Sequence, residues 1–87
     1  MSPRFARRTV VLQPGETRSA DAGEWRDAIL VVERGEIELE AVGDGRAARF
    51  APGAVVVLDG LALRALRNPG AEPAVLVAIS RRLRAVS

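Results

Sequence analysis

The 87-residue chain, 48% hydrophobic but only 3% aromatic, is long enough for one domain with an aliphatic core and too short for two. It has no Cys, His or Tyr, which excludes disulfides, thiolate or imidazole metal ligation, the usual near-neutral general base and a phenolic acid. Every basic residue is Arg, and the net charge of +2 hides a segregation: Arg4, Arg7, Arg8, Arg81, Arg82 and Arg84 lie at the two ends, while the stretch between them carries more acids than arginines.

In chain order, residues 1–6 read as loosely ordered, and Arg8–Leu12 is β-branched and apolar enough for a first strand, stopped by the turn tripeptide Gln13-Pro14-Gly15. Glu16 to Asp27 is small and polar around a single Trp25, a short strand or a loop. Ala28–Val32 is apolar at every position, so both of its faces are expected to be covered. Glu33-Arg34-Gly35 turns the chain into Glu36–Ala41, where Glu36, Glu38 and Glu40 alternate with Ile37, Leu39 and Ala41 and give one wet face.

A two-residue turn at Asp44-Gly45 would set Leu39 opposite Phe50 and Glu40 opposite Arg49. Ala51-Pro52-Gly53 turns into the apolar Ala54–Leu58, and Asp59-Gly60 turns into Leu61–Arg67. Asn68-Pro69-Gly70 has the form of a type II turn, with Gly70 at positive φ, ahead of the final strand Ala74–Ile79. About eight short strands between Gly/Pro turns, with no amphipathic helix, predict an all-β, jelly-roll barrel over residues 1–87, its core at about 8–80 between short basic termini.

Three continuously apolar strands are more than so small a barrel can wrap. Either the terminal strands fold back over them or a second copy does, and a homodimer with sheets packed face to face is expected. No segment is apolar enough for a signal peptide or a membrane span, so a cytoplasmic location is expected. Without interleaved aromatic residues or a recognition helix, the basic ends read as solvated rather than as a nucleic-acid site. Exclusive use of Arg fits the codon bias of a GC-rich bacterial genome.

The glycine-turn skeleton resembles the small cupins, the double-stranded β-helix or conserved barrel domains, over about residues 10–80. In the second cupin motif, G-x5-P-x-G-x2-H-x3-N, Gly53 and Asn68 fit the first and last positions. Asp59, Leu61 and Arg64 stand where Pro, Gly and His would be. Gly35 fits the glycine closing the first motif, which puts Ala28 at the Glu ligand position and the two histidine positions at Ala22 and Glu24, or at Asp21 and Gly23. The resemblance implies the barrel without its metal chemistry: no His occupies a ligand position, so no metal and no cofactor are expected.

Four residues are candidates for binding a small anionic or organic ligand. Arg64, at the ligand position, would offer a two-point anion contact if it points into the barrel, or would lie outside it. Trp25 would wall a ligand or plug a barrel end. Glu24 and Asp27 would act as carboxylate bases near the same opening or remain solvated. The functions implied are a metal-free, small-molecule-binding, regulatory or accessory protein or, alternatively, a metal-independent isomerase, cyclase or dehydratase using Arg64 with Glu24 or Asp27. Asn68 reads as a turn residue and the Glu36/Glu38/Glu40 stripe as a solvated face.

Overall fold

A computed structural model describes residues 4–20, 25, 27–43, 45–58 and 63–82. The elements are β1 (Arg4–Leu12), β2 (Thr17–Ser19), β3 (Ile29–Arg34), β4 (Ile37–Ala41), β5 (Ala47–Phe50), β6 (Val55–Val57), β7 (Leu63–Arg67) and β8 (Ala74–Arg82). They form two four-stranded antiparallel sheets, ordered β1-β8-β3-β6 and β2-β7-β4-β5. Most connections cross from one sheet to the other, so the sheets close on each other as the expected jelly-roll barrel.

The pleat decides what goes inside. Val10, Leu12, Leu30, Val32, Ala74, Leu76 and Ala78 of the first sheet meet Ile37, Leu39, Leu63 and Leu66 of the second in one buried cluster. At about 25 cal/mol per Å² of apolar surface, these side chains supply most of the folding drive. They are nearly all aliphatic because so narrow a space has little room for rings.

Three expectations about the strands need correction. The first strand begins at Arg4, and residues 4–6 are not loose, because β1 and β8 form one unbroken ladder from Arg4↔Arg82 to Leu12↔Ala74. The β4–β5 hairpin pairs Ile37 with Phe50 and Glu38 with Arg49, two residues from the expected register, with Ala41 N donating to Arg46 O at 3.1 Å. A slip of two leaves every side chain on its face, so hydrophobic alternation could not have detected it. Lastly, β3 is buried on one face only: Leu30 and Val32 point inward, whereas Ile29 is 38% exposed on the outside. The terminal strands extend this sheet instead of covering it. The Asp59-Gly60 turn lies outside the described residues.

One end of the barrel is held by Asn68, which is fully buried. Its Nδ2 donates to Leu12 O at 3.0 Å and to Glu72 O at 2.7 Å, while its Oδ1 accepts from Gly70 N at 2.9 Å. Its backbone pairs with the β1–β2 turn, Asn68 N donating to Glu16 O (3.0 Å) and Gly15 N to Asn68 O (2.9 Å). The expected type II turn is absent: Gly70 is not at positive φ, and the Asn68 side chain takes the place of the turn's main-chain acceptor. Gly15 and Gly53 do have positive φ after Pro14 and Pro52, in turns closed by Glu16 N to Gln13 O and Ala54 N to Ala51 O.

Gly35 packs against the same end. Its φ is +69°, and a Cβ there would lie 2.9 Å from Ala74 Cα and from Pro73 O. In the β1–β2 turn, the Glu16 carboxyl accepts from Gln13 N at 2.8 Å. That hydrogen bond, with a smaller contribution from Arg18, lowers the Glu16 pKa from its ordinary value.

Three outcomes are expected. Asn68→Ala, which strands two carbonyls and an amide, should lose about 2–4 kcal/mol in denaturant titrations. Asn68→Asp places a carboxylate against two carbonyl oxygens, which raises its folded-state pKa. Its stability should therefore fall as pH rises from about 4 through that raised value, a trend absent from the parent at this position. Gly35→Ala should lose at least about 2 kcal/mol, through left-handed strain and contact with the β8 backbone.

Candidate functional site

The opposite end, where Ala20, Ala28, Leu58 and Leu63 come together, corresponds to the opening in which the sequence placed its candidates. Leu58 N donates to Ala28 O at 2.9 Å, joining β6 to the start of β3, and Ala20 N donates to Arg64 O at 2.8 Å, joining β2 to β7. Trp25 seals this end. It is 2% exposed, belongs to the core cluster, and its carbonyl accepts from Ala28 N at 3.2 Å.

Two features of Trp25 carry chemistry. Its indole Nε1–H is buried and has no hydrogen-bond acceptor among the described residues. Leaving such a donor unmet costs about 1–3 kcal/mol, so an acceptor entering here would recover it. Above the ring, the Arg8 guanidinium carbon lies 4.6 Å from the centroid, a cation–π contact.

Arg8 was not among the candidates taken from the sequence, although a signal was present. In β1 the even-numbered Val10 and Leu12 point inward, and Arg8 pairs with the inward-facing Ala78, so alternation places it on the barrel side.

Arg64 is elsewhere. It lies on the outer face of the second sheet, its side chain 68% exposed, with Nε 3.8 Å from a Glu40 carboxylate oxygen. The cause is a bulge: Glu40 pairs with Ala65 but Ala41 with Leu63, so β7 spends an extra residue at Arg64. Leu63 and Leu66 both point inward despite being three apart, which accounts for the irregular alternation of this stretch.

Asp27 is exposed and held at a φ of 58°, in the turn that precedes Ala28. Glu24 lies outside the described residues. The structure therefore brings together Trp25, Ala28 and Arg8, and separates Arg64 from them.

The glutamate stripe forms a charged outer face as expected, laced by arginines. Glu38 lies between Arg67 (3.6 Å) and Arg49 (4.0 Å), and Arg49 also approaches Glu36 at 3.9 Å. A shallow depression of about 580 Å³, lined by Glu33, Arg34, Gly35, Pro52, Glu72, Pro73 and Val75, lies at the Asn68 end, away from Trp25.

By sequence the chain matches no family model and no curated protein. Among solved structures it is similar to a Cupin 2 conserved barrel domain protein from Salinispora arenicola, with 26% identity and a TM-score of 0.69 over 86% of this chain and 60% of that one. The fold is the cupin barrel. A second similar structure is the Cupin_2 domain of an XRE family transcriptional regulator from Enterobacter cloacae, with 26% identity and a TM-score of 0.71 over 92% of this chain and 83% of that one. A third, the Cnp3 cupin domain of Schizosaccharomyces pombe, shares the fold at 18% identity, with a TM-score of 0.70 over 94% of this chain and 56% of that one. This chain thus spans about three fifths of the Salinispora protein.

The cupin fold raises the question of a metal, and the residues at the ligand positions do not fit one. Ala28 has no donor atom, and Arg64 is a cation turned away from the interior. The remaining ligand positions lie outside the described residues. Among those described, no three His, Cys, Asp or Glu side chains gather into a metal cage, and the sequence supplies no imidazole or thiolate anywhere.

Because the Arg64 side chain makes an exposed ion pair and no other ion pair or hydrogen bond among the described residues, Arg64→Ala should change stability by no more than about 0.5 kcal/mol in denaturant titrations.

Proposed function

We propose that this chain is a metal-free, homodimeric cupin of the bacterial cytoplasm that binds a small anionic or oxygen-rich organic molecule at its Trp25 end, in a regulatory or accessory role. The observation that carries this reading is the buried Trp25 Nε1–H, which has no acceptor among the described residues, beneath the Arg8 guanidinium. A ligand oxygen on Nε1, with a carboxylate or phosphate on the Arg8 guanidinium, would supply an acceptor that the described residues do not. The small Ala28, at the family's glutamate position, adds neither charge nor bulk there. The Enterobacter neighbour is the cupin domain of a transcriptional regulator, which favours a sensing role over a catalytic one. The enzymatic alternative needs Arg64 beside Glu24 or Asp27, and the pairing of Arg64 with Glu40 on the outer face lends it no support.

Trp25 is the single tryptophan, so its emission reports on the site directly. Titration with small carboxylates and sugar phosphates should reveal a compound class that alters Trp25 fluorescence and raises the thermal midpoint equally with and without EDTA. Arg8→Gln should weaken that binding about tenfold or more, the loss of a charge-assisted hydrogen bond, whereas Arg64→Gln should leave it unchanged. If no compound moves either signal at millimolar concentration, the ligand-binding reading is wrong.

A further inference from the structure

The two basic ends of the chain, which taken separately have the composition of solvated tails, are joined by the fold. β1 begins where β8 finishes, and their ladder sets Arg4 opposite Arg82, Phe5 opposite Arg81, Ala6 opposite Ser80 and Arg7 opposite Ile79. β3 leaves β8 at Ile29↔Ile79. Residues 4–6 and 80–82 therefore pair only with each other among the described residues, a two-stranded antiparallel ribbon that runs about 10 Å past the third strand of its sheet. It extends from the Trp25 end, since Leu12, at the other end of β1, accepts from Asn68.

Positive charge is concentrated here with no counter-charge in the strands themselves. β1 and β8 carry Arg4, Arg7, Arg8, Arg81 and Arg82 and no acid. Arg18, Arg49, Arg64 and Arg67, by contrast, are ion-paired on the other sheet. Like charges directly opposite each other weaken a ladder, so the register of Arg4 against Arg82 carries a cost that an anion lying across the pair would remove.

We propose that this ribbon binds the phosphate backbone of double-stranded DNA without regard to base sequence. Three features select a duplex over other polyanions. The cations are all arginines, whose planar forks take phosphate oxygens two at a time. An antiparallel pair of strands is an element that the major groove of B-DNA, about 12 Å wide, admits. The ribbon has one large apolar residue, Phe5, which makes neither a stacking platform for single strands nor an apolar face for lipid. This activity goes beyond ligand binding at Trp25 and does not depend on it: it uses Arg4, Arg7, Arg81 and Arg82 and leaves Arg8 in place.

Fluorescence anisotropy of an end-labelled duplex of mixed sequence, titrated with the full chain, is expected to give a dissociation constant of about 1–100 μM at about 50 mM salt. By about 200 mM salt the affinity should fall about 100-fold, the loss that four phosphate contacts produce. Arg4→Gln combined with Arg82→Gln should weaken binding at least about tenfold and reduce the slope of log affinity against log salt by about 2. Arg49→Gln combined with Arg67→Gln removes the same charge from the other sheet and should leave both unchanged. Far-UV circular dichroism checks that each variant folds. Should the first pair fail to fold, Arg7→Gln, at an exposed position of β1, is expected to lower the slope by about 1. The proposal is overturned by an anisotropy that stays flat at about 50 mM salt, or by equal losses in the two double variants. Tighter binding of a single-stranded oligonucleotide, of polyglutamate or of phosphatidylserine vesicles than of the duplex would overturn it as well. Because Arg8 is unchanged in every variant, the response of Trp25 fluorescence to a small ligand is read separately, and the failure of either reading leaves the other standing.

Discussion

A single buried amide holds this barrel in register. Asn68 is the one polar residue fully enclosed among the described residues, and its donors and acceptor reach the end of β1, the loop before β8 and the turn after β7. A small aliphatic core supplies drive without direction, since one leucine packs about as well as another. A hydrogen-bonded amide is directional, and displacing it exposes several orphan groups at once. The crossing connections between the sheets can therefore close at only one position along the strands, and the opposite end inherits that alignment.

The opposite end is built on contrasting terms. Trp25 fills it with the largest side chain available, yet its indole donor has no acceptor among the described residues and a guanidinium lies over its ring. Polar groups are satisfied within the fold at the Asn68 end, whereas the Trp25 end holds the indole donor and the arginine on which the proposed binding rests. The cupin family commonly concentrates metal chemistry in such a barrel; here an alanine and an outward-turned arginine hold two of the ligand positions. The aliphatic outer face of one sheet and the charged outer face of the other supply a second asymmetry, perpendicular to the first.

Much of this was legible in the chain. The Gly and Pro turns marked the strand boundaries, and the motif skeleton from Gly53 to Asn68 carried the barrel. The alternation of Glu36, Glu38 and Glu40 gave an outer face because a pleat repeats every two residues. Asn68 was read as a turn residue, its long-range bonds to Leu12 and Glu72 being invisible because they join positions that only the fold brings together. Arg64 was placed by motif spacing, which assumes an even strand; the bulge adds a residue and turns the side chain outward.

The sequence by itself determined the class of architecture, the aliphatic character of the core and the absence of imidazole and thiolate, because these follow from composition and local periodicity. Only the tertiary structure decided which apolar strand face is left uncovered, which register the β4–β5 hairpin takes, and that Arg8 rather than Arg64 stands over Trp25. Each of those depends on strand pairing between distant segments. A two-residue slip or a single bulge changes such pairing while leaving the local pattern of hydrophobic and polar residues nearly the same.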